Sequence, residues 1–412
     1  MSRIADIVIV GGGIIGSSIA LQLAGHDAGS IVVLDKGVGP GEGSTGASSS
    51  ISRCRYTYPE VIRLAHHGQR AYADWGDFTG LSAPRAGLIT TGILWMMGET
   101  TAKTAGDAER MQTVGVDAEV LGPDQVSRRF PMLNTCGEVV DLSGEVDHQC
   151  IPGRSFLYEP TAGYVDPVAA NQDLLEAAAG QGVATEFASE VVELIIGGGR
   201  VEGVRLGDGD VISAGLVINA AGPWCNVVNA MAGWEHRWTL HPTRIQTVYR
   251  EWPSDLGAIP GAADSSTGIY FRPDSGGRRV LVGSVREEDE LEVVDDPDDF
   301  KRGPDAAFTE RTLASFHHRV LGLEPRGQVS GIAGLYTINR EDVHPIVGPS
   351  GIDGFWVANG FSGHGFKLAP SIGSLIAQAV TGRTMAGDTD VPIDFFSVSR
   401  DPIALDVKHV LA

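Results

Sequence analysis

A histidine and a lysine, His364 and Lys367, lie in the glycine-punctuated run NGFSGHGFKLAP, residues 359–370, close to the end of the chain. An ammonium there can hold a carboxylate, and glycine N–H groups at a helix start can stabilise negative charge. Taken alone, the pair reads more simply as a helix-start surface lysine and a satisfied structural histidine. At the other end of the chain, Gly11-Gly12-Gly13-Ile14-Ile15-Gly16 has the G-x-G-x-x-G spacing that lets backbone approach a pyrophosphate.

Each run needs particular elements to aim it. Residues 355–358 read as a short buried strand, and Leu368, Ile372, Leu375, Ile376, Ala379 and Val380 recur at helical spacing, so GHGFK lies between a strand and a helix. Residues 5–10 form an apolar strand before the first glycines, and Ile15, Ile19 and Leu23 give the inner face of a helix after them. The first glycine then makes the turn, the second admits phosphate, and the third lets helix and strand pack. The helix N-terminus adds free N–H groups and partial positive charge. A second strand, residues 31–34, ends at Asp35, whose carboxylate can accept from a ribose diol and disfavours a 2′-phosphate.

The motif does not choose between NAD and FAD. The glycine- and serine-rich residues 36–50 that follow are too long and small-sided for an ordinary strand-to-helix link. They suit backbone and hydroxyl donors laid along a cofactor larger than a nicotinamide. Residues 183–196 are strand-rich and lead through a glycine-turn hairpin to residues 216–222, LVINAAG, which end in small residues where phosphates would approach.

The composition excludes several classes. A net charge of −21 argues against nucleic acid and anionic membranes, and the acidic runs 286–292 and 295–299 read as solvated surface. Cysteines 54, 136, 150 and 225 form no CxxC pair and have no histidine at zinc-finger spacing, so no metal is expected and reduced thiols in a cytoplasm are. His66, His67, His148, His317 and His318 read as ordinary helix or surface histidines. The uncharged residues 7–25 read as a buried strand and helix, not as a leader or membrane span.

The blocks IVIVGGGIIGSSIA, AGYVDP, VINAAGPW, GLYTINREDVHPIVG and NGFSGHGFKLAP, in this order, resemble the D-amino-acid oxidase superfamily, and within it the sarcosine oxidase and dimethylglycine dehydrogenase branch. The resemblance implies FAD and oxidation of a carbon–nitrogen bond in a small amino acid, leaving an imine that hydrolyses. Oxygen or an electron carrier would take the electrons. A cyclic imino acid, a 2-hydroxy acid, or a non-catalytic flavin-binding subunit of a larger complex are the alternatives, and a homo-oligomer is possible.

By this resemblance Lys367 holds the substrate carboxylate and His364 lies against the flavin. Arg53 and Arg55 supply one contact to the flavin and one to the carboxylate, which a guanidinium binds through both oxygens. Which does which is left open. Tyr336 matches a substrate-pocket tyrosine, with a buried strand tyrosine as the alternative. The expected cofactor contacts are Gly11, Gly13, Ile14, Ile15, Gly16, Asp35, Lys36, Ser44, Ala47, Ser48, Val191, Ala220, Ala221, Gly222, Trp224 and the Gly363-His364-Gly365-Phe366-Lys367 run.

Three positions depart from the pattern. Gly334 replaces the cysteine that would bond to FAD, so the flavin is expected to be noncovalent. Leu281 falls at the oxygen-activating lysine and Val285 at a pocket histidine, with Arg278 or Arg279 as possible substitutes for the lysine. The fold class expected is α/β with α+β. A Rossmann-like FAD-binding domain is assembled from residues 1–84, 150–230 and 329–412, with an inserted antiparallel-sheet substrate domain of residues 85–149 and 231–328.

Overall fold

The computed structural model of the 412-residue chain describes residues 3–141 and 148–405. Strand Arg3–Val10 runs into helix Ile14–Gly25 through Gly11, whose φ of +107° is one that side-chain-bearing residues rarely adopt. A Cβ there would lie 2.4 Å from the Ala220 carbonyl oxygen, so glycine is also required by the close approach of two strand ends.

The first sheet runs in the order Val191–Gly197, Arg200–Leu206, Val211–Asn219, Arg3–Val10, Ile31–Leu34 and Ala184–Glu186, with Phe355–Asn359 beside Val211–Asn219 and Ile346–Pro349 on its far side. Its centre is parallel, with Ile7 opposite both Leu216 and Ile31, and Val217 opposite Phe355. Alternate residues of the first strand face two different cores: Ile7 and Ile9 pack with Leu23 and Leu375, Val8 and Val10 with Val204 and Val217. A strand buried on both faces reads as a continuous apolar run, which is why residues 5–10 carry no polar alternation beyond Asp6. The glycine-turn hairpin expected after residue 196 forms between Val191–Gly197 and Arg200–Leu206.

The second sheet has the order Val329–Asn339, Leu240–Glu251, Arg279–Ser284, Ile269–Asp274, Gly261–Asp264, Ile93–Met96, Phe156–Glu159 and Glu119–Leu121. Helix Ala306–Arg319 covers it, with Phe316 packed on Phe271 and Trp252. The domain boundaries drawn from sequence need correction here. Val329–Asn339 and Phe156–Glu159, assigned to the FAD-binding domain, belong to this sheet. The first pairs with Leu240–Glu251 from Leu240↔Asn339 to Arg250↔Val329, a ladder that runs the full length of the strand. No helix among the described residues is long and apolar enough to cross a membrane.

Candidate active site

Helix Gly365–Thr381 contains Pro370, which has no N–H to donate to the Phe366 carbonyl one turn earlier. The buried Tyr72 hydroxyl donates to that carbonyl instead, at 2.8 Å, and Ser18 donates to the Ala369 carbonyl at 2.7 Å. The first turn of the helix, with Phe366 and Lys367, is therefore pinned from two sides. Ahead of it Gly363, at φ +81°, touches Tyr336, whose ring a Cβ would meet at 2.5 Å.

A cavity of about 770 Å³ runs from the glycine turn to this point. That volume suits a large cofactor. Of the residues proposed from sequence to contact a cofactor, Gly11, Gly13, Ile14, Ile15, Asp35, Lys36, Ser44, Ser48, Val191, Ala220, Ala221, Gly222, Trp224, Gly363, Gly365 and Phe366 line it. Asp35 accepts from the N–H groups of Gly12 and Gly37, both at 2.7 Å, so its carboxylate braces the turn as well as facing the cavity. The small residues crowded at one end and the helix N-terminus behind them fit a pyrophosphate, and the volume of the cavity suits a flavin dinucleotide.

Four expected positions do not line it. Gly16 is a packing residue, since a Cβ there would sit 1.9 Å from the Gly11 carbonyl oxygen. Ala47 faces Gly334, where a Cβ would fall 2.4 Å from the Ala47 methyl, so the strand can approach only as glycine. His364 is turned away from the cavity and packs edge-on against Tyr56 and near His344, with ring centroids 5.4 and 6.0 Å apart. Its backbone, the N-cap of the helix, holds the turn in its place. Lys367 points into a second chamber.

That chamber, of about 60 Å³, shares Tyr336 and Gly363 with the large cavity and is otherwise lined by Ser49, Ile51, Arg53, Ile93, Trp95, Gly261, Ala262, Ala263, Tyr270, Phe271 and Lys367. Arg53 and Lys367 are both buried, and no carboxylate lines the space among the described residues. Burial, and then the neighbouring Arg53, hold the Lys367 ammonium well below the usual lysine range. Beneath Arg53, Glu159 is fully buried and accepts from Cys54 N–H and Trp95 Nε1–H, each at 2.7 Å, while burial raises its carboxyl. Arg53 also stacks over Tyr56, 4.1 Å from the ring centre. Burial pushes the Tyr270 hydroxyl up to about 12, so it is a neutral donor at ordinary pH.

The structure separates the two arginines. Arg55 lies behind Trp95, bonded to Asp107 at 3.0 Å and Glu99 at 2.8 Å, and reaches neither cavity. Leu281 and Val285 are packed in the core and do not line the chamber. Arg278 and Arg279 are no substitutes for a lysine there: both are exposed, and Arg279 is bonded to Asp274 at 2.7 Å. The buried cation opposite Leu281 is Arg272, which donates to the Ser49 carbonyl at 2.6 Å and so positions the loop between the two cavities.

Sequence reasoning missed the mouth of the cavity. Asp295, Asp296 and Asp298, part of a run read as plain surface, line its rim with Arg302, and Asp298 bonds Lys36 at 2.6 Å while Lys36 lies 4.3 Å over the Trp224 ring. It also missed Thr45, which accepts from the Ile14 N–H at 3.0 Å, although the hydroxyl-rich loop was a signal for it. His148 and His318, read as ordinary, meet Cys136 and Cys150 at a point outside both cavities.

A family model described as FAD dependent oxidoreductase matches residues 6–379. Among curated proteins, the chain is 27% identical to the glycine oxidase of Pseudomonas putida, covering 92% of this chain and 94% of that one. It is 24% identical to human mitochondrial dimethylglycine dehydrogenase, over 91% of this chain and 42% of that longer protein. Among solved structures, L-proline dehydrogenase from P. horikoshii superposes with a TM-score of 0.80 at 22% identity, covering 97% of this chain and 98% of that one.

Proposed function

The chain belongs to the FAD dependent oxidoreductase family, and from that premise we propose that it oxidises a small secondary or tertiary amino acid, of the N-methyl amino acid kind, with noncovalent FAD. The observation that carries this reading is the chamber beside the large cavity, where two buried cations, Arg53 and Lys367, face apolar walls with no acid among the lining residues. One substrate carboxylate can bridge the two side chains across the chamber. It also favours the ammonium form of Lys367, because an opposite charge stabilises the charged state against burial.

Size and charge narrow the substrate. At roughly 10–15 Å³ per water-sized occupant, a space of about 60 Å³ holds four to six such units, which matches a glycine derivative and rejects a bulky side chain. The positive field favours the neutral form of the substrate amine, whose lone pair can then expel hydride from the adjacent carbon. Ile51, Ile93, Trp95 and Phe271 offer apolar surface to an N-methyl group. A 2-hydroxy acid would need a base to take its hydroxyl proton; neither histidine nor carboxylate lines the chamber among the described residues, and Lys367 is assigned to the substrate carboxylate in this reading.

Bound FAD would supply the two-electron acceptor for that hydride. Gly11 to Ile15 and Asp35 would hold its dinucleotide end, and the helix start at Gly365 would lie toward the ring, where its N–H groups suit negative charge. Gly334 offers no thiol for a covalent link. The iminium product hydrolyses in water, and oxygen or a carrier removes the electrons.

The test is an anaerobic titration of the purified yellow protein with sarcosine, N,N-dimethylglycine, proline, glycine and lactate in turn, followed by flavin absorbance. Bleaching by the N-methyl compounds is expected. Bleaching by lactate alone, or by none of the five, overturns the reading, and admitting air afterwards distinguishes an oxidase from a dehydrogenase.

A further inference from the structure

Cys136, His148, Cys150 and His318 come from three separate stretches of the chain, yet their ligand atoms all lie within 4.8 Å of one another. We propose that these four residues form a zinc site that clamps the outer edge of the substrate domain.

The backbone is built to bring them together. Cys136 and Pro152 form an antiparallel bridge, flanked by Gly137 N–H to the Ile151 carbonyl and Gly153 N–H to the Thr135 carbonyl, both at 2.8 Å. This short ladder sets Cys136 beside Cys150. His148 then reaches back, its Nε2 at 3.3 Å from Cys136 Sγ and 3.4 Å from Cys150 Sγ. His318 arrives from the last turn of helix Ala306–Arg319, its ring edge-on to that of His148 at 4.8 Å. Its Nε2 is buried and has no hydrogen-bond partner among the described residues, so a lone pair is left for a ligand.

The surroundings fix these groups independently of any ion. Arg319 donates to the Cys136 carbonyl at 2.9 Å and to that of Asn134, and is paired at 2.7 Å with Asp264, both side chains being wholly buried. Asn134 donates to the His318 carbonyl at 3.2 Å and to Cys150 Sγ at 3.5 Å, a donor suited to a thiolate. Donor chemistry selects the metal. Two sulfurs and two imidazoles suit zinc over the oxygen-seeking calcium and magnesium, and tetrahedral bonds of about 2.0–2.3 Å would set ligand atoms roughly 3.3–3.8 Å apart. Binding Zn²⁺ would release both thiol protons and leave a neutral centre.

All four cysteines are free thiols, so the competing arrangement is a Cys136–Cys150 disulfide. The site lies outside both cavities, and four residues past the bridge at Pro152 the chain enters strand Phe156–Glu159, whose Glu159 lies under Arg53. Zinc would therefore stabilise the wall of the chamber without touching substrate.

The experiment uses the untagged, FAD-loaded full chain, purified under reducing conditions. Its zinc content is measured by elemental mass spectrometry, and after chelator treatment it is titrated with zinc chloride by calorimetry and thermal unfolding. About one zinc per chain is expected, with zinc raising the unfolding temperature. Cys150→Ser and His318→Ala should lose that equivalent while keeping the flavin spectrum, and His317→Ala, altered at the neighbouring histidine, should keep it. Wild type that stays metal-free with reduced thiols, variants that retain zinc, or a Cys136–Cys150 disulfide in the isolated protein would overturn the proposal.

Discussion

Replacing Lys367 by methionine keeps a similar length of side chain and removes the charge. Lys367 is buried and donates only weakly to the Gly363 carbonyl, at 3.4 Å, with Arg53 as its nearest cause of electrostatic strain after burial itself. If it holds the substrate carboxylate, the lost charge-assisted bond is worth about 1.5–3 kcal/mol, or roughly 10- to 150-fold in kcat/KM. Stability should move the other way. Over the range between the depressed pKa of Lys367 and the ordinary lysine pKa, the unfolded chain binds a proton that the folded one does not. Native stability therefore rises with pH through that range and levels off below the folded pKa, where both states are protonated and the cost of burying the charge is complete. Lys367→Met should be more stable than wild type on the acid side of this window, and the gap should close as pH rises. In wild type, carboxylate binding should weaken as pH rises through the depressed pKa of the free protein, and this step should vanish in the variant. The assays are anaerobic flavin reduction at several substrate concentrations and chemical denaturation across pH. Unchanged kcat/KM with lower stability would refute the clamp and make Lys367 a packing residue.

Four further substitutions separate the roles of the residues around the two cavities. Arg53→Lys should lower kcat/KM by about tenfold or more by losing the two-point grip on a carboxylate, whereas Arg55→Lys should disturb the Glu99 and Asp107 bonds and lower thermal stability with KM unchanged; equal KM effects in steady-state assays would contradict the separation. Gly334→Cys should cost about 1–3 kcal/mol by overpacking against Ala47 and leave FAD extractable, so fluorescence that stays with the denatured chain on a gel would count against this reading. Asp298→Asn removes the partner of Lys36 at the cavity mouth, a partly exposed pair worth about 0–1 kcal/mol, and should speed FAD release by no more than about fivefold; a larger change in the release rate would mean that the pair is a principal latch.

The glycine turn, Asp35 and the GHGFK strand-to-helix junction were legible because each is a local backbone requirement: a positive φ at Gly11, a close approach at Gly16, a helix start at Gly365. Any fold using those residues must place them in a similar way, and spacing alone carries that information. The roles of Arg53 and Arg55 were not legible, since two arginines one residue apart differ only in what faces them: Tyr336, Gly363 and Lys367 around one chamber, Glu99 and Asp107 around the other guanidinium. The same holds for His364, whose type suggested chemistry while its packing against Tyr56 set its direction. Strand Val329–Asn339 was assigned to the wrong domain because its sequence fits either sheet and only the ladder with Leu240–Glu251 chooses. The meeting of Cys136, His148, Cys150 and His318 depends on a short ladder and on Arg319 tying a helix end to it, contacts nearly two hundred residues apart in the chain. Sequence thus determined what the local backbone must do, and tertiary structure decided which charged and ligating side chains would share a space, because proximity and competition among partners arise only once distant segments pack.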